Sequence, residues 1–331
     1  MNLLEKDTIL SLLLQADDYL SGEEISQALG VSRTAIWKRM KTLRAEGYEI
    51  EAKTNSGYKL ISMPDTPTEN AVFAKLQGES FCPEIVFLDE VDSTNTYLKQ
   101  RAESGAQHGT VCIANAQTGG RGRRGRSFES QKGQGLFFSI LLRPEEGTLP
   151  ENLSAITAFA AVAVCDALTK VVDITPKIKW VNDILVDDKK LVGILSELSL
   201  SAESGQVDYI VIGVGINVHQ QAENFSPEVR ETATSLDILT GEYINRATLA
   251  ANLIAAFDHM YQTQKRDPTA LTARYRLLSC TIGRDIDVIT GDTKKAAYAF
   301  DIDENCGLLV RYDDGGEDTL HYGEISIRAK K

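Results

Sequence analysis

Residues 119–126 combine four arginines with four glycines in a protein whose formal net charge is −12. Glycine allows the main chain to approach a ligand closely, and arginine presents a rigid fork of donors that suits carboxylates and phosphates. The spacing differs from the GxxxxGK[ST] pattern of a P-loop, so a phosphate would be held in another geometry. The segment therefore predicts an anion-binding loop. A solvated, disordered nucleic-acid-binding segment is the alternative for an arginine-glycine run.

The residues on either side of this loop are apolar and β-prone, over 111–114 before it and 136–142 after it. Such runs predict buried strands. A long charged loop between two buried strands is usually functional, which disfavours the disordered alternative.

Two further groups of polar side chains follow predicted strands. Ser93, Thr94 and Asn95 come after a strand over 87–91, where they could bind a small polar ligand or simply cap a helix over 96–103. A strand over 177–186 delivers the second group near its end, and a tight turn over 187–190 leads into a returning strand over 191–198. The side chains of interest in this hairpin are Lys179, Asn182, Asp183 and Lys190.

A predicted buried strand over 209–218 contains two glycines, Gly213 and Gly215, which indicates close approach of something to its backbone. This GxG lacks the third glycine and the following helix of a dinucleotide site, so it is weak evidence for one. The five cysteines have no CxxC spacing, which argues against disulfides and zinc and predicts reduced packing residues. His219 as a general base is the less favoured reading of a histidine that is more simply structural.

The chain has 331 residues, of which 43% are hydrophobic and 25% charged, which predicts a globular protein of two or three domains. No apolar stretch approaches the ~20 residues of a membrane span, and residues 1–7 lack the features of a signal peptide. We therefore expect a cytoplasmic protein without membrane association. Because the net charge repels nucleic acid, any DNA contact requires a locally basic surface.

The N-terminal residues provide such a surface. Ser21 and Glu24 form a capping-box pattern that opens a helix ending at Gly30, and the next helix begins after Ser32 with a core stripe at helical spacing. Residues 31–45 contain five cations and no acid. A hairpin flanking residues 54–57 follows, so the pattern predicts a winged helix-turn-helix. A trihelical interaction domain with surface lysines is the alternative. The predicted DNA contacts are Ser32, Arg33, Thr34, Trp37, Lys38, Lys41 and Lys53.

Two composition changes divide the rest of the chain. Pro64 and Pro67 lie in a polar stretch that can continue neither helix nor strand, which predicts a linker. Short strands over 286–289, 297–302 and 308–311, separated by glycine-containing turns such as Gly291-Asp292, predict a small β-barrel. We expect an α+β protein with domains over 1–63, 64–278 and 279–331.

The ordered motifs at 92–95, 117–126, 179–183, 189–195 and 213–218, behind a helix-turn-helix, resemble the bifunctional biotin-protein ligase and biotin operon repressor family over essentially the whole chain. The resemblance implies a central mixed β-sheet with helices, of the class II synthetase-like type, and an SH3-like C-terminal barrel. It also implies that biotin and ATP react to biotinyl-5'-adenylate and pyrophosphate, and that biotin is then transferred to a lysine of a biotin carrier protein such as that of acetyl-CoA carboxylase.

Site residues carry over from the resemblance by motif. Biotin would be bound by Ser93, Thr94, Asn95, Gln117, Arg121, Gly122, Arg123, Lys190 and Gly193. The nucleotide would be bound by Arg123, Lys179, Asn182, Asp183 and Asn217. Attack of a carboxylate on a phosphate brings two anions together, so Lys190, Arg121 and Arg123 are expected to be catalytic. ATP implies Mg²⁺, for which Asp183 is a candidate ligand and equally a structural partner for a cation.

As a repressor of this family, the protein would bind operator DNA as a homodimer formed on ligand binding, with the adenylate as corepressor and the arginine-glycine loop closing over it. Two alternatives remain. The central domain could sense a small molecule without ligase activity, or the enzyme could ligate lipoate through the same acyl-adenylate strategy. The set of motifs including Lys190 weighs against the first, and the helix-turn-helix together with the arginine-glycine loop favours biotin.

Overall fold

The structure is a computed structural model that describes residues 8–76, 81–144, 153–200, 206–290 and 293–328. The N-terminal residues used above to argue against a signal peptide, and the predicted turn at Gly291-Asp292, lie outside these ranges.

The N-terminal region has three helices and a hairpin, as predicted. Ser21 and Glu24 together cap the N-terminus of the second helix, because the side chain of each accepts a hydrogen bond from the main-chain amide of the other. Gly30 ends that helix with a φ of 65°. The side chain of Ser32 accepts a hydrogen bond from the amide of Ala35 and so begins the third helix. The elements are α1 Thr8–Gln15, α2 Gly22–Leu29, α3 Arg33–Ala45, β1 Glu49–Lys53 and β2 Gly57–Ser62. They enclose their own core, which includes the stripe Ile36, Met40 and Leu43.

A seven-stranded mixed sheet forms the centre, in the order β3-β4-β5-β9-β8-β7-β6, where only the β3–β4 pair is parallel. Its strands are β3 Ile85–Leu88, β4 Val111–Ala114, β5 Gly135–Leu142, β6 Lys177–Lys179, β7 Asp183–Val186, β8 Lys189–Leu200 and β9 Val207–Asn217. The accompanying helices are α4 Glu69–Phe73, α5 Thr94–Glu103, α6 Leu153–Val171, α7 Leu236–Thr240, α8 Arg246–Arg266 and α9 Pro268–Leu278.

The sheet is covered on both faces, and the two faces differ in side-chain size near the middle. Alternate residues of β4, β5 and β9 pack against α5 or belong to the large core around α6 and α8. On the α5 face, Ser139 of β5 pairs with Gly213 of β9, and Gly213 pairs with Leu195 of β8. Two residues away along the same pair of strands, Gly215 pairs with Gly193. The small residues Ser139, Gly213, Gly215 and Gly193 leave a depression in that face.

Three expectations need correction. The predicted strand over 177–186 is two strands, because the chain turns at residues 180–182 between β6 and β7. The helix predicted over 96–103 begins two residues earlier, at Thr94. The third concerns membrane spans. Helix α6 is long and apolar enough to cross a membrane, contrary to the expectation that no such stretch exists, but 72% of its apolar window is buried inside the protein.

The C-terminal region is a five-stranded antiparallel sheet of order β13-β12-β11-β10-β14. Its strands are β10 Arg284–Thr290, β11 Thr293–Ile302, β12 Leu308–Tyr312, β13 Glu317–Leu320 and β14 Glu324–Ile327. The predicted barrel does not close within the described residues, because β13 and β14 each pair on one side only. This region is therefore an open sheet.

The polar linker after β2 is anchored to the body of the protein through a charged cluster that we call the linker junction, formed by Asp65 of the linker with His219, Asp237 and Arg246. Asp65 accepts hydrogen bonds from the main-chain amide of Arg246 at 2.9 Å and from its guanidinium. His219 lies 3.2 Å from Asp65 through Nε2 and 3.0 Å from Asp237 through Nδ1. Arg246 is 3% exposed, so these charges are held within the protein.

Candidate ligand-binding and catalytic site

A cavity of about 690 Å³ opens on the α5 face of the central sheet. Its floor is the depression formed by glycines of β8 and β9. A Cβ on Gly213 would lie 2.3 Å from the side-chain oxygen of Asn95, and one on Gly215 would lie 2.6 Å from the ring of Phe128. The glycines are therefore required by close contacts above them, in agreement with the sequence expectation of close approach at these positions.

Hydrogen bonds connect the side chains on one wall of the cavity into a network. The Ser139 hydroxyl lies 2.7 Å from both Thr94 Oγ1 and Asn95 Oδ1. Gln117 accepts from the main-chain amide of Thr94 at 2.9 Å. Asn95 donates from Nδ2 to Glu197 at 2.8 Å. Ser93, the N-cap of α5, makes no side-chain capping bond. The simple capping role is therefore not what its hydroxyl performs here, and this wall is a preorganised polar surface.

The arginine-glycine loop covers the cavity and is tied down at its base. Phe128 donates its amide to the Gly120 carbonyl at 3.0 Å, and the Gly122 amide reaches the Arg126 carbonyl at 2.7 Å. A Cβ on Gly120 would lie 2.6 Å from the Phe128 carbonyl oxygen, so a glycine is required there. The loop thus folds back on itself over the ligand space.

Cations outnumber acids around the cavity, in contrast with the whole chain. The lining cations are Arg121, Arg123, Arg124, Arg126, Lys179, Lys190, Arg284 and Arg328, and the lining acids are Asp183, Asp188 and Glu324. Burial and the neighbouring Arg124 lower the pKa of Arg123, while Asp183 partly offsets them. A bound anion would relieve this excess of positive charge.

Lys190 and Asp183 both line the cavity and form an ion pair of 2.7 Å. Their strands hold them together, because β7 and β8 join through a tight turn in which Asp187 and Asp188 have φ values of 50° and 59°. Asn182 donates to the Ile194 carbonyl at 3.1 Å, which fixes the turn between β6 and β7. The ammonium group of Lys190 is thereby positioned where negative charge could develop.

The C-terminal sheet supplies the far wall. Glu324 pairs with Arg126 and, at 3.5 Å, with Arg124, so it connects this sheet to the arginine-glycine loop. Arg284 and Arg328 line the same cavity. A ligand in the cavity would therefore contact both sheets.

Every predicted ligand residue lines the cavity except Asn217. The Asn217 amide instead donates to the Thr234 carbonyl at 3.0 Å and accepts from Gln220 at 3.1 Å, and the residue is 5% exposed. It fixes the segment after β9. His219 also lies outside the cavity lining, in the linker junction, so the geometry offers no support for general-base catalysis by it.

Several cavity residues were missed by the sequence reasoning. Phe128 lies two residues after the arginine-glycine run, and this proximity to a matched motif was the available signal. Arg284 and Glu324 had none, because each belongs to an element distant in sequence from the matched motifs.

A resident magnesium ion does not fit the residues present. Within the described ranges no group of three or more histidine, cysteine or acidic side chains could hold a metal. The carboxylate of Asp183 is occupied by Lys190 at 2.7 Å. The protein therefore offers no cage of its own for this ion.

The predicted DNA-contacting side chains all lie on one exposed face of α3 and on the hairpin. Trp37 is 56% exposed, and the ammonium group of Lys41 lies 5.8 Å from its ring centroid. Arg33 is paired with Glu23 of the preceding helix at 2.7 Å, so the acid-free helix is partly neutralised from outside. Lys53 lies 5.5 Å from the ring centroid of Tyr19. The helix thus presents one aromatic and several basic groups to a partner.

Comparison with known proteins accounts for both regions. Residues 87–217 match the biotin/lipoate A/B protein ligase family, and residues 5–59 match a helix-turn-helix domain. The structure is similar to the biotin protein ligase of Aquifex aeolicus in complex with biotin and ATP, with a TM-score of 0.64, 29% identity, and coverage of 75% of this chain and 99% of that one.

Relatives aligned over nearly their whole length share both regions. The bifunctional ligase/repressor BirA of Bacillus subtilis is 36% identical over 94% of this chain and 95% of its own length, and that of Escherichia coli is 32% identical over 97% and 96%. The chain belongs to the BirA family of bifunctional ligase/repressors.

Proposed function

We propose that the protein is a biotin-protein ligase that activates biotin with ATP and transfers it to a lysine of a biotin carrier protein, and that it also represses transcription. The observation that carries the ligase function is the cavity itself. A polar wall suited to a small neutral head group stands opposite an excess of cations suited to a carboxylate and a phosphate.

In the first step, an oxygen of the biotin carboxylate bonds to the α-phosphorus of ATP, and pyrophosphate leaves with the electron pair of the broken bond. The network of Ser93, Thr94, Asn95 and Gln117 would hold the ureido head of biotin. Lys190, Arg121 and Arg123 would stabilise the charge that accumulates as the two anions meet. Asp183 keeps the Lys190 ammonium in place until a substrate oxygen competes for it.

In the second step, the amine of the acceptor lysine attacks the mixed anhydride, forms an amide and releases AMP. Gly193 and Gly122 leave room for the ligand chain against the strand and the loop. Lys179 and Asn182 line the nucleotide end of the cavity. We propose that Mg²⁺ enters with ATP as the counter-ion of its phosphates.

Pyrophosphate exchange tests the ligase function. The protein should exchange pyrophosphate into ATP when biotin is present, and lipoate should not replace biotin. Absence of exchange with biotin would favour the sensor alternative, and exchange with lipoate would favour the lipoate ligase.

The exposed face of α3 carries the repressor function. Its N-terminal residues, with Trp37 and the exposed lysines Lys38 and Lys41, would enter the major groove. Lys53 of the hairpin would contact phosphates. Deletion of residues 1–62 should abolish operator binding and preserve adenylate formation. Sequence-specific binding by the truncated protein would refute this assignment.

We propose that a ligand-dependent homodimer places two of these helices on a palindromic operator. Within the described ranges the outer half of β8 pairs with β9 alone, and Leu198 and Leu200 at its end are 37% and 56% exposed. This strand edge could pair with that of a second copy. Sedimentation with and without the adenylate tests this dimer interface. Leu200→Glu should keep the liganded protein monomeric while adenylate synthesis continues.

The domain boundaries follow from the same elements. We propose a DNA-binding domain over 1–63, a catalytic domain over 64–278 and a C-terminal domain over 279–331 that is related to SH3-like modules and acts as a lid. The ion pairs of Glu324 with the arginine-glycine loop support the lid. A cytoplasmic location suits these substrates, and fractionation of cells tests it.

A further inference from the structure

The carboxylate of Glu197 lies behind the polar wall of the cavity and is bonded to it. Glu197 is on β8, on the same face as Gly193 and Leu195, because alternate residues of a strand point to one side. Its two oxygens accept from Asn95 Nδ2 at 2.8 Å and from Lys99 Nζ at 2.7 Å. Both donors belong to α5, one turn apart. Glu197 lies outside the cavity lining, whereas Asn95 is part of it, so the carboxylate contacts the ligand-binding surface from behind.

The charge of Glu197 determines how the amide group of Asn95 is oriented. Burial opposes ionisation of Glu197, but hydrogen bonds from Lys99 and Asn95 outweigh burial and lower the pKa of this carboxyl below 4.5. An ionised carboxylate only accepts hydrogen bonds. The Leu195 carbonyl oxygen, 3.1 Å from Asn95 Nδ2, is an acceptor as well. With acceptors at both places, Asn95 directs its NH₂ group towards them and its Oδ1 the other way.

The Asn95 oxygen in turn determines where the hydroxyl protons of the wall point. Asn95 Oδ1 lies 2.7 Å from the Ser139 hydroxyl and can only accept, so Ser139 donates its single proton there. Ser139 Oγ is also 2.7 Å from Thr94 Oγ1, and that contact therefore requires the proton of Thr94. All three residues are buried, which makes an oxygen pair without a proton costly.

Two acceptor oxygens then remain at the cavity surface. Thr94 Oγ1 lies 3.1 Å from Gln117 Oε1, while the Thr94 proton points to Ser139. The orientation of Gln117 is fixed separately, because its Oε1 accepts from the Thr94 main-chain amide at 2.9 Å and its Nε2 donates to the Ser130 hydroxyl at 3.1 Å. Both Thr94 and Gln117 line the cavity. Two neighbouring acceptors call for a donor from the ligand, and the ureido group of biotin carries two N–H groups.

We propose that Glu197 is a positioning residue that sets the polarity of this wall for biotin. Acting through Asn95 and Ser139, it directs the Thr94 proton away from the cavity, so the wall accepts a hydrogen bond from a ureido N–H. The inference rests on the proposed function, in which this wall holds the ureido head. Lys99 keeps the carboxylate in place, and neither charged side chain contacts the ligand.

Glu197→Gln tests the proposal, because it keeps the shape of the side chain and changes its polarity. The Lys99 ammonium group would attract the oxygen of the new amide, which leaves the NH₂ group facing Asn95. Asn95 would then rotate and present its own NH₂ to Ser139, so that Ser139 donates to Thr94 and occupies the acceptor. Titration calorimetry should show biotin affinity lowered about 10- to 100-fold, as expected for loss of an acceptor for a buried donor, while the KM of ATP is unchanged.

Two further measurements separate polarity from a general loss of structure. Carbamate analogues of biotin replace one ureido N–H by a ring oxygen. Wild type should bind the weaker of the two analogues about 10- to 100-fold less tightly than biotin, and Glu197→Gln should reduce this ratio to nearly one. Adding Lys99→Met to Glu197→Gln should restore part of the biotin affinity, because the new amide can then turn its oxygen back to Asn95.

Glu84→Gln is the matched control, because Glu84 pairs with Arg101 of the same helix at 2.8 Å and lies outside the cavity lining. Its biotin affinity should equal that of wild type. Unchanged biotin affinity in Glu197→Gln would overturn the positioning role, as would an equal loss for biotin and both analogues. Equal binding of biotin and both analogues by wild type would also overturn it, whether or not the variant folds. Absence of biotin binding by wild type would instead refute the proposed function and, with it, this role.

Discussion

The protein contains two clusters of charge that are built in opposite ways. In the linker junction, Arg246 and His219 face the carboxylates of Asp65 and Asp237, and all four side chains are largely enclosed. Among the described residues that line the cavity, eight cationic side chains face three acidic ones. The junction satisfies its charges internally and therefore contributes structure. The cavity leaves charge unsatisfied, and only a ligand completes it.

Removal of Arg246 should be the largest single disturbance of the junction. Arg246→Met leaves Asp65 buried without its main partner and also removes hydrogen bonds to the Asn115 side chain and the Gly135 carbonyl. We expect a loss of about 3 to 5 kcal/mol in the free energy of unfolding. Denaturant titration measures it. A loss below about 1 kcal/mol would show that the junction is not a structural charge cluster.

Removal of a cation from the cavity should lower the rate of the reaction without lowering the stability of the fold. Lys190→Ala should lower the rate of adenylate formation about 10²- to 10³-fold, because a preorganised positive group is lost from the reacting centre. Pre-steady-state measurement of adenylate formation gives the rate, and thermal unfolding provides the control. Unchanged turnover would remove Lys190 from the catalytic group.

The contribution of the junction to the free energy of unfolding should also depend on pH, within a defined pH window. Burial opposes the protonated form of His219, but hydrogen bonds to Asp65 and Asp237 outweigh it and raise its pKa above 6.5. Burial likewise opposes ionisation of Asp65, yet hydrogen bonds from His219 and Arg246 lower its pKa below 3.8. The His219 contribution is present below about 6.5 and is lost as pH rises through the folded-state pKa. The Asp65 contribution is lost as pH falls below 3.8.

His219→Gln tests this window. The variant should be less stable than wild type by about 1 to 2 kcal/mol between pH 4 and 6.5, and the difference should shrink at higher pH. Unfolding curves across pH measure it. A difference that grows with rising pH would contradict the assigned charge state.

The smallest expected effects concern the exposed face of α3, where no charge is enclosed. Lys38→Ala should weaken operator binding a few-fold and reduce the salt slope by about one, whereas Trp37→Ala should weaken binding and leave the slope unchanged. Binding titrations at several salt concentrations separate the two. Equal slopes for both variants would place Lys38 away from phosphate.

The sequence predicted the local features of this fold more fully than its assembly. Capping residues, the core stripe of α3 and the hairpin are set by neighbours within a few positions, so they could be predicted. The long helices α6, α8 and α9 were not anticipated, and the C-terminal barrel was wrong in its closure within the described residues. Closure depends on pairing between distant strands, which short apolar runs do not specify.

The candidate site shows the same division. The motif residues that line the cavity were identified because they follow strands in the matched motifs. Asn217 was expected in the cavity, but the side chain turns towards Thr234 and Gln220, a choice made by tertiary hydrogen bonds. Arg284 and Glu324 carry no local signal, since they enter the cavity only when the C-terminal sheet packs against it.

The anchoring of the linker has a consequence for how the two activities share one chain. Pro64 and Asp65 resemble a flexible tether in composition, yet the Pro64 carbonyl accepts from Asn245 at 3.2 Å and the Asp65 carboxylate is bound to Arg246. The DNA-binding helix is therefore not connected to the rest of the protein by a flexible linker. In a dimer, the separation of the two reading helices would be set during folding of each subunit, so little rotational freedom would remain to be lost on the operator.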